Sequence, residues 1–125
     1  MSDDIFQINA GALAEQFVGQ ELLAYQPPSS DDNLFFWARD KKNSGAEVDF
    51  VISFGTEIYP LEVKAGKTGT LKSLHLFLKE KKCRLGIRIS KQSLSLSDNI
   101  LSIPLYMIEQ IPQLAREALS IIKKR

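Results

Sequence analysis

Apolar and polar residues alternate with a period of two across residues 47–54 and 57–64, and only Gly55-Thr56 separates the two stretches. Both are rich in β-branched and aromatic residues, so they read as the strands of a hairpin. A two-residue connection with Gly first suits a type II′ turn. That loop pairs Phe54 with Glu57, and counting outward sets Asp49 opposite Glu62 and Glu47 opposite Lys64. Leu34 to Arg39 reads as a preceding strand, with Trp37 suited to core contacts in a central position. Upstream, over residues 8–25, the period changes to that of a helix. Leu13, Ala14, Phe17, Val18, Leu22 and Tyr25 share one arc. Glu15 sits at the edge of that arc, and the nearby Gly11 and Gly19 are small enough to let another backbone or a ligand approach.

Beyond Lys64, a loop containing Gly and Thr leads into a helix from Leu71 to Lys81 that buries Leu71, Leu74 and Leu78. His75 shares this Leu-rich face, where a partly buried structural role suits it. Arg84 to Ser90 is a fourth strand, and Ile100 to Ile108 an irregular strand interrupted at Pro104. Residues 112–123 form a terminal helix with Leu114, Ala115, Ala118, Leu119 and Ile122 on one face. The order is α-β-β-β-α-β with a C-terminal strand and helix appended. This predicts a mixed α/β (α+β) fold in a single domain over 1–125, with its core at about 8–110.

Composition narrows the function. At 44% hydrophobic and 25% charged residues, the chain matches an ordinary globular domain. A single cysteine, Cys83, excludes an internal disulfide and a thiolate zinc cluster. The start carries no signal-peptide pattern, and no apolar run approaches the roughly 20 residues of a membrane span. These features predict a soluble, cytoplasmic protein. The formal net charge of +1 is unevenly spread. Residues 1–57 hold three basic and ten acidic residues, whereas residues 58–91 hold nine basic and two acidic, a local +7. Such a basic segment suits a polyanion such as nucleic acid, although a solvated helix and strand edge have the same composition.

The charge pattern of the hairpin is unusual. Opposed side chains on paired strands lie about 4.5–5.5 Å apart at Cβ, where like charges destabilise a sheet. Asp49 facing Glu62 calls for a proton or a divalent cation between them. Lys64, two residues beyond Glu62, projects from the same face. A Glu47–Lys64 surface pair, worth about 0–1 kcal/mol, accounts for the lysine but not for the two carboxylates. Ala65-Gly66-Lys67-Thr68 mimics the end of a phosphate-binding loop, but the Gly required five positions earlier is Leu61, within a strand. Nucleotide binding is rejected. One His and one Cys support no nucleophilic triad.

An Asp near the start of one strand and Glu-x-Lys on the next, in this element order, resembles the PD-(D/E)XK nuclease superfamily with its restriction-endonuclease-like αβββαβ core. The chain is most similar to a domain-of-unknown-function family, number 4143, found at the C-terminus of prokaryotic AAA-type ATPases. The resemblance rests on Gly11 to Val18, Phe36 to Arg39, Gly45 to Val51 and Leu61 to Gly66. It continues through Lys72-Ser73-Leu74, Arg88-Ile89-Ser90 and Ile103 to Tyr106. It implies that Glu15, Asp49 and Glu62 contribute to a Mg²⁺ (or Mn²⁺) site and that Lys64 orients water or stabilises charge on the phosphate. Lys67, Lys72 and Ser73 would contact DNA. Val48 stands where the superfamily name places Pro. The resemblance also implies an AAA-type ATPase partner, with this chain an isolated C-terminal domain or a truncated relative. A nuclease-like module that binds without cleaving is the competing expectation.

Overall fold

A computed structural model describes residues 13–22, 35–38, 48–54, 56–64 and 71–123. Helix α1 occupies residues 13–22, followed by strands β1 (Phe35–Ala38), β2 (Phe50–Phe54) and β3 (Glu57–Lys64). Helix α2 (Lys72–Lys81), strands β4 (Gly86–Ser90), β5 (Ser95–Ser97) and β6 (Ile100–Pro104), a 3₁₀ helix (Leu105–Gln110) and helix α3 (Ile111–Lys123) complete the order. The six strands form one mixed sheet in the order β1-β2-β3-β4-β6-β5. β1, β2 and β3 are successively antiparallel, β3, β4 and β6 are parallel, and β5 returns antiparallel on β6. The expected mixed α/β architecture is therefore present.

The hairpin register is the expected one: Phe54 pairs with Glu57 and the ladder continues to Phe50 and Leu61. Pro60 is tolerated inside β3 because pairing with β4 begins only at Leu61. Its missing N–H falls where no ladder bond is required. Strand alternation then sorts the side chains. Phe50, Ile52, Tyr59, Leu61, Ile87, Ile89, Leu101 and Ile103 pack with α1 and α3 in the larger core. On the other face, α2 buries Leu74, Phe77 and Leu78 against Val48 and Ile100. Gly86 permits this approach, because a Cβ there would lie 3.0 Å from Ile100 and 3.1 Å from Leu74. α2 ends at Lys82, whose left-handed backbone (φ 55°) stops the helix.

Several expectations change. The arc predicted for α1 is rotated: Val18 and Leu22 are buried, but Leu13 and Phe17 are exposed, and Tyr25 lies outside the described residues. A Cβ on Gly19 would lie 3.3 Å from the Phe50 ring, so the bare glycine lets the Val18–Gly19–Leu22 side turn inward, with residues 13 and 17 off the contact face. Gly19 thus serves helix packing. Gly11 lies outside the described residues. His75 is exposed, because Phe77 takes the third inward position of α2 with Leu74 and Leu78. Trp37 belongs to a strand at the edge of the described sheet, not to a central one.

The segment predicted as one broken strand from Ile100 to Ile108 is a strand to Pro104 and a 3₁₀ helix thereafter. β6 is no appendage: all five of its residues are buried between β4 and β5. α3 buries Ala115, Ala118 and Leu119 as its periodicity predicts.

Candidate functional site

Asp49, Glu62 and Lys64 lie where β2 and β3 part. In a two-residue hairpin closed by Phe54 and Glu57, hydrogen-bonded pairs recur at every second residue of β3. After Tyr59 and Leu61, the next would join Val63 to Val48. The ladder stops before that point, at Phe50–Leu61, because the chain bends at Asp49 and Val48 joins the cluster beneath α2. The N–H of Val63 instead donates to Asp49 Oδ2 at 2.8 Å. The Asp49 carboxylate thus replaces a backbone acceptor at the end of the ladder. This refines the counted Asp49–Glu62 opposition: Asp49 sits one step beyond the last paired residues rather than within the ladder.

Both carboxylates are withdrawn from water, with Asp49 5% and Glu62 4% exposed. Burial disfavours a charged carboxylate unless partners compensate. Lys64 supplies one such partner, its Nζ 3.5 Å from Glu62 Oε1, while its side chain stays 28% exposed. The pair leaves the Lys64 ammonium at the boundary between the buried carboxylates and solvent. Glu47, the alternative partner of Lys64, lies outside the described residues.

Glu15 is half-buried on α1, which packs through Val18 and Leu22 into the core on the face opposite α2. By alternation along β3, Glu62 and Lys64 belong to the α2 face. Among the described residues, no group of three or more His, Cys, Asp or Glu side chains is spaced to hold a metal ion. Two carboxylates nevertheless suit Mg²⁺, which takes oxygen ligands, keeps several waters and commonly uses only one or two protein carboxylates with substrate phosphate.

The sequence placed Arg88 only within the basic segment and gave no individual role to the next residues in this row. Parallel pairing sets Arg88 of β4 level with Glu62, and Ser102 of β6 level with Arg88. Ser90 lies level with Lys64. The signal was a lone arginine inside the otherwise apolar run Leu85-Gly86-Ile87-Arg88-Ile89.

Of the expected nucleic-acid contacts, Lys72 is exposed at the start of α2, Ser73 is half-buried, and Lys67 lies outside the described residues. Lys72, His75, Lys79 and Lys82 recur at intervals of three or four and are all exposed. They form a basic strip on the side of α2 away from the sheet. At the opposite end of β3, Arg84 pairs with Glu57 beside Tyr59. Burial, reinforced by the Glu57 charge, pushes the Tyr59 hydroxyl up to about 12. Burial also raises the Cys83 thiol, again helped by Glu57, which leaves it a poor nucleophile.

The family described as Domain of unknown function (DUF4143) matches residues 10–108. In three dimensions the chain is similar to a chain of the tetradecameric assembly of Thermococcus gammatolerans McrB AAA+ hexamers with bound McrC. The two are 18% identical with a TM-score of 0.54, over 90% of this chain and 33% of that one. This chain therefore spans about a third of that one's length, and the likeness bears on fold alone. No curated protein matches the sequence. Among the described residues, no helix is long and apolar enough to cross a membrane.

Proposed function

The chain belongs to the DUF4143 family, and from that premise we propose that it is a metal-dependent nuclease domain that hydrolyses DNA phosphodiester bonds in association with an AAA-type ATPase. The observation that carries this reading is the burial of Asp49, at the bend that leads into β2, and of Glu62 on β3, with Lys64 paired to Glu62 at the solvent boundary. Two neighbouring buried carboxylates cost stability, and such arrangements cluster at functional sites. The ATPase association draws on the family and on the likeness to a chain from an assembly of AAA+ hexamers.

Asp49 and Glu62 are the residues that would hold Mg²⁺ or Mn²⁺; Glu15, which the nuclease resemblance adds, stands on α1 against the opposite face of the sheet and is not grouped with them among the described residues. When bound, the ion supplies Lewis-acid polarisation of a phosphoryl oxygen. Lys64, at the solvent boundary, orients the attacking water and opposes the charge that accumulates on the phosphate. The water oxygen bonds to phosphorus as the P–O bond to the leaving nucleotide breaks. The departing oxygen takes up a proton, and the water gives one to solvent. The basic strip on α2 attracts the rest of the backbone without reading sequence.

A second reading is favoured by the Asp49–Val63 hydrogen bond, which gives that carboxylate a structural task of its own. On this view the domain is a nuclease-like DNA-binding or interaction module that does not cleave. Incubation with single-stranded, double-stranded and branched DNA under Mg²⁺ or Mn²⁺ separates the two. Cleavage that disappears in Asp49→Asn and Lys64→Met supports the nuclease. Salt-sensitive DNA binding without hydrolysis, unchanged in Asp49→Asn, supports the module.

A further inference from the structure

β4 is flanked by parallel neighbours on both sides, and its alternate residues Gly86, Arg88 and Ser90 face the α2 side. Gly86 is covered by Leu74 of α2. Arg88, one step further toward the C-terminal ends of β3, β4 and β6, is level with buried Glu62 and buried Ser102. Its Nε is buried and has no hydrogen-bond partner among the described residues. Leaving a charged donor in that condition carries its full desolvation penalty, and such a group calls for an explanation such as a missing ligand. Glu62 is the obvious candidate acceptor, yet its ion pair runs to Lys64 instead.

We infer that Arg88 is a phosphate-binding residue of this site, its guanidinium taking the non-bridging oxygens of a nucleic-acid phosphodiester beside Lys64. The planar fork of an arginine matches a phosphate with two parallel N–H donors. The neighbouring groups suit the same ligand. Ser90 Oγ already accepts a hydrogen bond from the Gln92 N–H, so its own proton is free to donate to an anion. Crevices at the C-terminal ends of parallel strands are the usual ligand sites of open α/β sheets. The inference rests on the site receiving a phosphodiester, but not on its ability to cleave one.

Fluorescence anisotropy with labelled single- and double-stranded DNA in EDTA, across a salt series, tests it on the wild type, Arg88→Gln, Arg88→Lys and Asp49→Asn. Arg88→Gln is expected to weaken binding about tenfold and to reduce the slope of log K against log salt by about one. Arg88→Lys is expected to restore the slope but not the full affinity, since lysine keeps the charge without the fork. Binding by a folded Arg88→Gln protein within twofold of wild type, with the same slope, overturns the inference. Should that variant fail to fold, Arg88→Lys decides: wild-type affinity in a folded lysine variant overturns the assignment. Wild-type protein that binds no DNA at low salt overturns both this inference and the nuclease reading. Arg88-dependent binding by a protein that never cleaves removes only the hydrolytic role.

Discussion

Replacing Asp49 separates two roles carried by one carboxylate. Asp49→Ala removes both the charge and the acceptor of the Val63 N–H, whereas Asp49→Asn removes the charge but keeps an oxygen able to accept the 2.8 Å bond. A part-buried N–H left without an acceptor costs about 1–3 kcal/mol. Loss of the charge works the other way, because a second carboxylate, Glu62, is buried nearby and like charges withdrawn from water disfavour one another. In metal-free buffer, Asp49→Asn is therefore expected to be at least as stable as wild type. Asp49→Ala should fall below Asp49→Asn by about 1–2 kcal/mol, a difference of about 3–8 °C in Tm for a domain of this size. Circular dichroism melts measure both. Repeating them with Mg²⁺ at ten times its Kd should add about 1.4 kcal/mol to wild type and little to either variant. Equal stability of the Asn and Ala proteins would refute the capping role. Equal Mg²⁺ stabilisation of wild type and Asp49→Asn would place any ion elsewhere.

Gly86→Ala forces a Cβ to within 3.0 Å of Ile100 and 3.1 Å of Leu74. It should cost about 1–3 kcal/mol by chemical denaturation as α2 is pushed from the sheet. A combined Lys72→Gln/Lys79→Gln change on the exposed side of α2 should lower the salt slope of DNA binding by about two, with the same loss on unrelated sequences. An unchanged slope would remove α2 from the interface. At high pH, unfolded tyrosine ionises near 10, but Tyr59 in the fold does so only near 12. Between those values the unfolded state binds fewer protons, so the Tyr59 contribution is intact below pH 10 and is lost as pH rises toward 12. The effect is at most about 3 kcal/mol. Tyr59→Phe should flatten this part of the stability–pH profile relative to wild type.

What could be read from the residues follows from local geometry. The hairpin register was legible because a two-residue loop leaves one pairing, and the period-two pattern agrees with it. The buried faces of α2 and α3 were legible for the same kind of reason, except that His75 lies outward where Phe77 lies inward. β5 was missed although its signal was present. Asp98 and Asn99, both at positive φ, form the two-residue turn that pairs Ser97 with Ile100.

The sequence by itself determined the hairpin register that places Asp49, Glu62 and Lys64 near the open end of one hairpin, since antiparallel neighbours are joined by the short loop between them. Only the tertiary structure decided the rest of the site. The bend at Asp49 depends on Val48 finding its cluster beneath α2, and the rotation of α1 depends on the contact of Gly19 with Phe50. The alignment of Arg88 with Glu62 and Ser102 depends on parallel pairing across connections that leave the sheet and return. Local spacing does not encode that register. It is set by how the helices and the apolar strand faces pack together, which is why the lone arginine of β4 acquired its neighbours only in the folded chain.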